Sequence, residues 1–240
     1  MTYPENIERA DLVLAPSSEL ERQKRMLDTV RAFYLLHETE LSKRMMVATQ
    51  DLQRNLELLG DAATFLLGGS VGFGQATNET MDIDMTYVGK RPNSFRSWIG
   101  KIVLDFNAAD LHIEHIDYDA IDVVLVEAFV QHVEFGTPYS VLTGENQSEK
   151  YIESQFKRFV SMFCVTRKLD DRYAPLFVKA INLKHRIIDD LRDTISLDSS
   201  IPGVRSSDFM QSFRKYHARL AARGITVPAE IIELEKQLTQ

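Results

Sequence analysis

The chain has 240 residues, a formal net charge of −7 at pH 7 and 44% hydrophobic residues. These values indicate a globular protein of one large or two small domains, and they exclude a wholly basic nucleic-acid-binding surface but not a local basic patch. The single cysteine, Cys164, excludes an internal disulfide and a cysteine-rich zinc site. We expect a cytoplasmic protein without a membrane span, because no apolar run approaches ~20 residues and the N-terminal segment is acidic where a signal peptide would be basic.

The N-terminal part of the chain has the pattern of two helices. Within residues 17–60, Ser17 is a candidate N-cap, and apolar residues follow at helical intervals. A second helical run, residues 38–59, ends at Gly60, which is a typical C-terminal stop. We therefore predict a helical arm over residues 1–60.

The pattern changes after Gly60 to short apolar runs separated by turns, which predicts a small α+β core with a mixed sheet over residues 61–143. We predict a helix at 95–107, and a tight antiparallel connection between the last two strands. The predicted strands cover residues 64–67, 81–88, 111–116 and 121–126. The rest of the chain, residues 144–240, has only helical patterns and predicts a helical C-terminal domain, with helices at 147–168, 174–195, 206–223 and 228–239.

Two acidic residues, Asp82 and Asp84, lie two positions apart in the second predicted strand. Residues at this spacing point to the same face of a strand, where like charges repel. A divalent cation removes the repulsion, and Mg²⁺ usually binds through one or two carboxylates together with substrate phosphates. The alternative is a solvated edge strand that carries two surface acids.

The segment before this strand favours the metal site. The first predicted strand runs into Gly68-Gly69-Ser70, and Asp82 follows shortly afterwards. Glycines at the end of a strand let the backbone approach a ligand closely, and a turn with a serine can donate hydrogen bonds to phosphate oxygens. An ordinary glycine-rich turn is the alternative interpretation.

Asp122 supplies a third candidate carboxylate, at the head of the apolar predicted strand 121–126. If this strand lies beside that of Asp82 and Asp84, the three carboxylates converge as in sites that hold two metal ions for phosphoryl transfer. Asp117, Asp119 and Glu114 are rivals, but residues 117–120 have the composition of a turn.

The order of Gly69-Ser70, Asp82-Ile83-Asp84 and Asp122 resembles the polymerase-β-like nucleotidyltransferase superfamily. Residues 68–85, with Thr80 two positions before the paired acids, are also similar to the AbiEii-type toxin branch. The resemblance implies a nucleotidyltransferase that needs Mg²⁺ or Mn²⁺ and moves a nucleoside monophosphate from an NTP to an acceptor hydroxyl. The similarity to the toxin branch implies a role in a toxin-antitoxin or defence system.

The resemblance also implies a role for each residue. Asp82, Asp84 and Asp122 would bind the metal ions and carry the catalysis, while Gly68, Gly69 and Ser70 would hold the triphosphate. A downstream helix with lysines belongs to the toxin branch, so Lys179 or Lys184 would bind the nucleotide and neutralise charge on the leaving phosphates.

The acceptor is not encoded in these motifs, and RNA, a protein side chain and a small molecule all remain open. The helix at 206–223 carries Arg214, Lys215 and Arg219, which could bind RNA or could form a solvated face with the aromatic residues packed inward. Two other hypotheses are an inactive nucleotidyltransferase-like module that binds a partner protein, and an unrelated α+β protein with a chance pair of acids.

Overall fold

A computed structural model describes residues 19–77, 82–90, 111, 115–143, 147–184 and 206–239. The strands in this part of the chain are β1 (Thr64–Leu67), β2 (Asp82–Gly89), β3 (His115–Asp122) and β4 (Arg167–Lys168). The helices are α1 (Glu19–Leu36), α2 (Glu40–Leu58), α3 (Gly69–Gly72), α4 (Val123–Phe135), α5 (Tyr139–Thr143), α6 (Glu149–Val165), α7 (Ala174–Lys184), α8 (Ser206–Ala222) and α9 (Ala229–Thr239).

Polar side chains cap the N-termini of three of these helices. Thr39, Asp122 and Ser148 each accept a hydrogen bond from a backbone amide in the first turn of α2, α4 and α6. Such caps satisfy amides that have no partner within the helix, and each contributes about 1 kcal/mol. Helix α4 ends at Gly136, whose φ of 67° is the left-handed conformation that favours glycine.

The sheet has the strand order β3-β2-β1-β4. Strand β1 is antiparallel to both β2 and β4, whereas β2 and β3 run parallel. The predicted α+β fold with a small mixed sheet is therefore confirmed. The parallel pair brings the strand of Asp82 and Asp84 against a second strand that carries acids.

The two faces of the sheet contribute to different hydrophobic clusters. Leu66, Val88 and Ile121 join a large cluster formed with α1, α4 and helices α6 to α9. Phe65 and Tyr87 point to the other face and pack in a smaller cluster with α2. The larger cluster contains residues from all three predicted segments, and the division of the chain into an arm, a core and a C-terminal domain stays a prediction.

The prediction of a strand at 121–126, joined to 111–116 by a tight antiparallel connection, is wrong. Residues 117–120 lie in the middle of the continuous strand β3, and α4 begins at Val123. The apolar run after Asp122 was ambiguous, because a buried helix and a buried strand have the same composition over a few residues. Strand β4 falls within a segment predicted to be helical, and its two residues pair with β1.

The other helical predictions agree with the structure in the part of the chain that it describes. The predicted helix at 95–107 and the candidate cap at Ser17 lie outside that part, as does the second half of the helix predicted at 174–195. Among the described helices, none is both long and apolar enough to cross a membrane.

Candidate functional site

Asp84 and Asp117 lie directly opposite each other on the parallel strands β2 and β3. Paired residues on neighbouring strands are about 4.8 Å apart and point to the same face. Both side chains are exposed, whereas Ile83, Met85 and Ile116 beside them on the two strands are buried. The arrangement therefore presents two carboxylates side by side at one end of the sheet.

Asp117 was considered from the sequence but rejected as a turn residue. The sequence pattern that indicates a strand through Asp117 is a period of two. Polar residues at 115, 117 and 119 alternate with Ile116 and Tyr118. This alternation is typical of a strand with one polar face. Asp82 precedes Asp84 by two residues on β2 and pairs with His115, and its side chain lies outside the described part of the chain.

Asp122 does not join this pair, and the prediction that it converges with Asp82 and Asp84 is wrong. It pairs with Gly89, five residues beyond Asp84, which places it about 16 Å along the strands. The odd spacing also puts it on the opposite face of the sheet. Its side chain instead accepts a hydrogen bond of 2.9 Å from the amide of Val124 and caps α4.

The Gly68-Gly69-Ser70 turn, at the start of α3, lies against Asp84. The amide of Gly68 donates to the backbone carbonyl of Asp84 at 2.9 Å. Gly69 has a φ of 49°, and a Cβ atom there would overlap Oδ2 of Asp84. The absence of a side chain at Gly69 thus leaves room for the carboxylate beside the turn.

Asp119 lies on the same face as Asp117, one step further along β3. Its Oδ2 is 2.6 Å from Nη2 of Arg158, and both side chains are largely buried, with exposed fractions of 24% and 21%. Arg158 comes from α6, so this ion pair connects the sheet to the helical layer. It also places a guanidinium group on Asp119, two residues along β3 from Asp117.

Tyr216 on helix α8 lies within electrostatic range of Asp84, at the same end of the sheet. Burial raises the pKa of the Tyr216 hydroxyl to about 12, and the negative charge of Asp84 adds to the increase.

Arg219 donates a hydrogen bond to the carbonyl of Gln75, whose own amide donates to the carbonyl of Ser70 at 2.7 Å. Arg223 donates to Oε1 of Gln75 at 2.7 Å. These bonds hold α8 to the segment that follows the glycine turn.

The three basic residues predicted to bind RNA are therefore not equivalent. Arg214 and Lys215 are exposed, whereas Arg219 is half-buried and holds Gln75. Phe213 and Tyr216 pack inward, in the aromatic cluster with Tyr34 and Phe73.

The two lysines predicted to bind nucleotide differ in exposure. Lys184 is 1% exposed and Lys179 is exposed, although both belong to α7. Burial lowers the pKa of Lys184 to about 8, and the positive charge of Lys157 on α6 adds to the decrease. Their assignment as nucleotide-binding residues stays a prediction.

The residues at this end of the sheet fit a magnesium ion in one respect. Two adjacent carboxylates are the protein ligands that Mg²⁺ commonly uses, and the space left by Gly69 lies against one of them. Over the described residues, no group of three or more His, Cys, Asp or Glu side chains is arranged to hold a metal ion. Asp82, substrate phosphates and water are candidates for further ligands.

Comparison with known proteins adds no relative, since no family model matches the chain and neither curated proteins nor solved structures show significant similarity to it.

Proposed function

We propose that this protein is a metal-dependent nucleotidyltransferase, in which Asp82, Asp84 and Asp117 are the acidic residues of the site. The observation that supports the proposal most directly is the pairing of Asp84 with Asp117 beside Gly69. Two carboxylates held side by side on adjacent strands repel each other, and a divalent cation bound between them would relieve that repulsion.

In the proposed reaction, the oxygen of an acceptor hydroxyl forms a bond to the α-phosphorus of an NTP. The bond between that phosphorus and the oxygen bridging to the β-phosphate breaks, and pyrophosphate leaves. Bound Mg²⁺ or Mn²⁺ would supply positive charge that stabilises the phosphate oxygens and favours deprotonation of the acceptor.

The protein's own residues would bind the cation and the phosphates and would offset charge at the site. Asp82, Asp84 and Asp117 would orient the cation, and Asp117 takes the role that the sequence assigned to Asp122. Gly68, Gly69 and Ser70 would hold the phosphates next to Asp84. Arg158 lies near Asp117 through its ion pair with Asp119, and it would offset negative charge at the site.

The acceptor that we favour is a macromolecule, with RNA as the first candidate. Arg214 and Lys215 are exposed on α8, the helix whose Tyr216 lies within reach of the charge of Asp84. A polyanion that lies across the exposed face of α8 is the kind of acceptor that these two cations would bind. A role in a toxin-antitoxin or defence system is consistent with such an acceptor, and rests on the sequence resemblance alone.

The test is transfer of label from each α-³²P-labelled NTP in the presence of Mg²⁺ or Mn²⁺ and total RNA or cell lysate. Asp84→Asn and Asp117→Asn should each reduce transfer at least a hundredfold while the protein stays folded. Asp122→Asn is the matched control, because it removes the same charge from the same sheet and asparagine caps helices well. Full activity in Asp117→Asn, or its loss in Asp122→Asn, would contradict the proposed site.

The absence of transfer with any NTP and either metal would favour the second hypothesis from the sequence, an inactive module that binds a partner protein. Calorimetry with Mn²⁺ distinguishes the two explanations of such a result. Binding of Mn²⁺ by the wild-type protein would indicate an intact site whose acceptor was missing from the lysate, and no binding would indicate an inactive site.

A further inference from the structure

Helices α8 and α9 leave a groove between them on the far side of α8 from Gln75. Its volume is about 370 Å³, within the range of about 300 to 1,000 Å³ that holds small ligands. Met210, Phe213 and Ile232 give the groove an apolar lining. Ile232 lies outside both hydrophobic clusters, so its side chain is available to a ligand in the groove.

Two cations, Arg214 and Lys236, also line the groove. The guanidinium group of Arg214 is 3.6 Å from the sulfur of Met210, a neutral atom. Lys236 is 62% exposed, and the carboxylate of Glu233 is 3.9 Å from its ammonium group. An exposed ion pair at this distance contributes little, so both cations can bind an anion.

Of the described residues that line this groove, Glu235 is the one with a carboxylate, and both of its oxygens already have partners within the protein. It is 5% exposed, Oε1 accepts a hydrogen bond of 2.6 Å from the hydroxyl of Tyr34, and Oε2 is 2.8 Å from Nε2 of His217. Both oxygens are engaged by residues of two other helices, α1 and α8. In the described part of its lining, the groove therefore offers no carboxylate to a cationic ligand, whereas Arg214 and Lys236 are accessible to an anionic one.

We propose that this groove binds a small amphipathic anion. An apolar or aromatic body would pack against Met210, Phe213 and Ile232, and a carboxylate or phosphate group would lie between Arg214 and Lys236. The site is independent of the acidic pair and does not depend on the nucleotidyltransferase proposal. Its chemistry fits a fatty acid, whose alkyl chain is apolar, and a nucleoside monophosphate, whose base has a flat aromatic face; both carry an anionic head.

The probe for this site is 1-anilinonaphthalene-8-sulfonate, an aromatic anion whose fluorescence rises on binding to the full-length protein. We expect saturable binding of one probe per chain. The variant Arg214→Gln/Lys236→Gln should raise the Kd at least about tenfold, because two charge-assisted contacts are lost. Lys215→Gln is the matched control, since Lys215 neighbours Arg214 on the same helix but does not line the groove, and its Kd should equal that of the wild type.

Competition then identifies the anion. Displacement of the probe by decanoate supports a carboxylate with an alkyl chain, and displacement by AMP supports a nucleoside monophosphate. Non-saturable binding, equal Kd values for the double variant and the wild type, or failure of both competitors would each overturn the proposal. Circular dichroism of the variants checks that a change in Kd does not come from unfolding.

Discussion

Gly69 lies so close to Asp84 that a side chain at position 69 would occupy the position of the Asp84 carboxylate. The left-handed φ of 49° at Gly69 brings the backbone of the turn to this carboxylate. The glycine turn and the paired acids, which are separate patterns in the sequence, are therefore in contact in the structure. It connects the end of β1, through the turn, to the strand that carries the paired acids.

This contact gives the first prediction, for Gly69→Ala. Alanine at a positive φ is strained by about 1 kcal/mol, and its Cβ must also displace Asp84. We expect the label transfer proposed above to fall at least tenfold. Gly60→Ala is the control, because Gly60 has a φ of 78° but no atom within 4 Å of the added Cβ, so it is strained without a clash. Equal activity of the two variants would show that the contact with Asp84 has no functional role.

The second prediction separates the structural role of Asp122 from catalysis. Asp122→Ala should lower the free energy of unfolding by about 1 kcal/mol, because the amide of Val124 loses its cap. Asp122→Asn should change it by a few tenths at most. Urea denaturation measures both. Transfer activity per folded molecule should match that of the wild type in both variants, which distinguishes Asp122 from Asp117.

Asp122 and Asp117 also mark the limit of what the sequence could predict about the site. The turn at Gly68-Gly69-Ser70 and the pair Asp82 and Asp84 are local patterns, and the contact between turn and strand follows from their short separation along the chain. Which residue of β3 lies opposite Asp84 depends on the register of two parallel strands, and register is set by packing on both faces.

The prediction of secondary structure from the sequence was limited in the same way, because local patterns were predictive and tertiary pairing was not. The helices with clear periodicity and capping residues, such as α2 and α6, were predicted close to their observed bounds. The boundary between β3 and α4 was missed, because the apolar run after Asp122 has no alternation that would distinguish a helix from a strand. Strand β4 has two residues and forms only through its pairing with β1, so it has no sequence pattern of its own.

The third prediction concerns Lys184, which is buried in α7 with a pKa lowered to about 8. Between pH 8 and about 10.5, the unfolded chain binds a proton that the folded protein does not, so stability rises with pH over this window. Below pH 8 both states are protonated, and the folded state carries the full penalty of the buried charge. Lys184→Met should therefore stabilise the protein at pH 7 by up to about 3 kcal/mol.

The stabilisation should shrink as the pH rises from 8 to 10.5, as measured by urea denaturation of both proteins across that range. Lys179→Met is the control, because Lys179 lies on the same helix but is exposed. A loss of NTP binding in Lys184→Met, with its stability unchanged, would instead support the nucleotide-binding role predicted from the sequence.

The fourth prediction concerns the ion pair between Arg158 and Asp119. Arg158→Gln removes a positive charge near Asp117 and releases Asp119 from its partner at 2.6 Å. The negative potential at the site should increase, so the affinity for Mn²⁺ should rise a few-fold in isothermal titration calorimetry. Arg54→Gln removes an exposed charge on α2 and should leave the affinity unchanged. Weaker Mn²⁺ binding in Arg158→Gln would show that the pair orients the acids.

The fifth prediction concerns RNA as the acceptor and the exposed cations of α8. Arg214→Gln/Lys215→Gln should raise the apparent KM for RNA and flatten its salt dependence, because contacts with phosphates release counterions. For two contacts on a single strand, the slope against the logarithm of salt concentration should fall by about 1.4. The KM for the NTP should not change, since the nucleotide site is proposed to lie at Gly69 and Asp84. Arg219 is left unchanged in this variant, because its hydrogen bond to Gln75 holds the segment after the glycine turn in place.

Two further variants make this last result specific to RNA binding. Lys236→Gln changes the groove between α8 and α9 but leaves Lys215 in place, so it should keep the wild-type KM for RNA. Lys43→Gln removes an exposed charge on α2 and controls for net charge. If all three variants raise the KM equally, the effect comes from total charge. If the double variant keeps wild-type kinetics, α8 does not bind the acceptor, and a small molecule between the sheet and the helical layer becomes the better candidate.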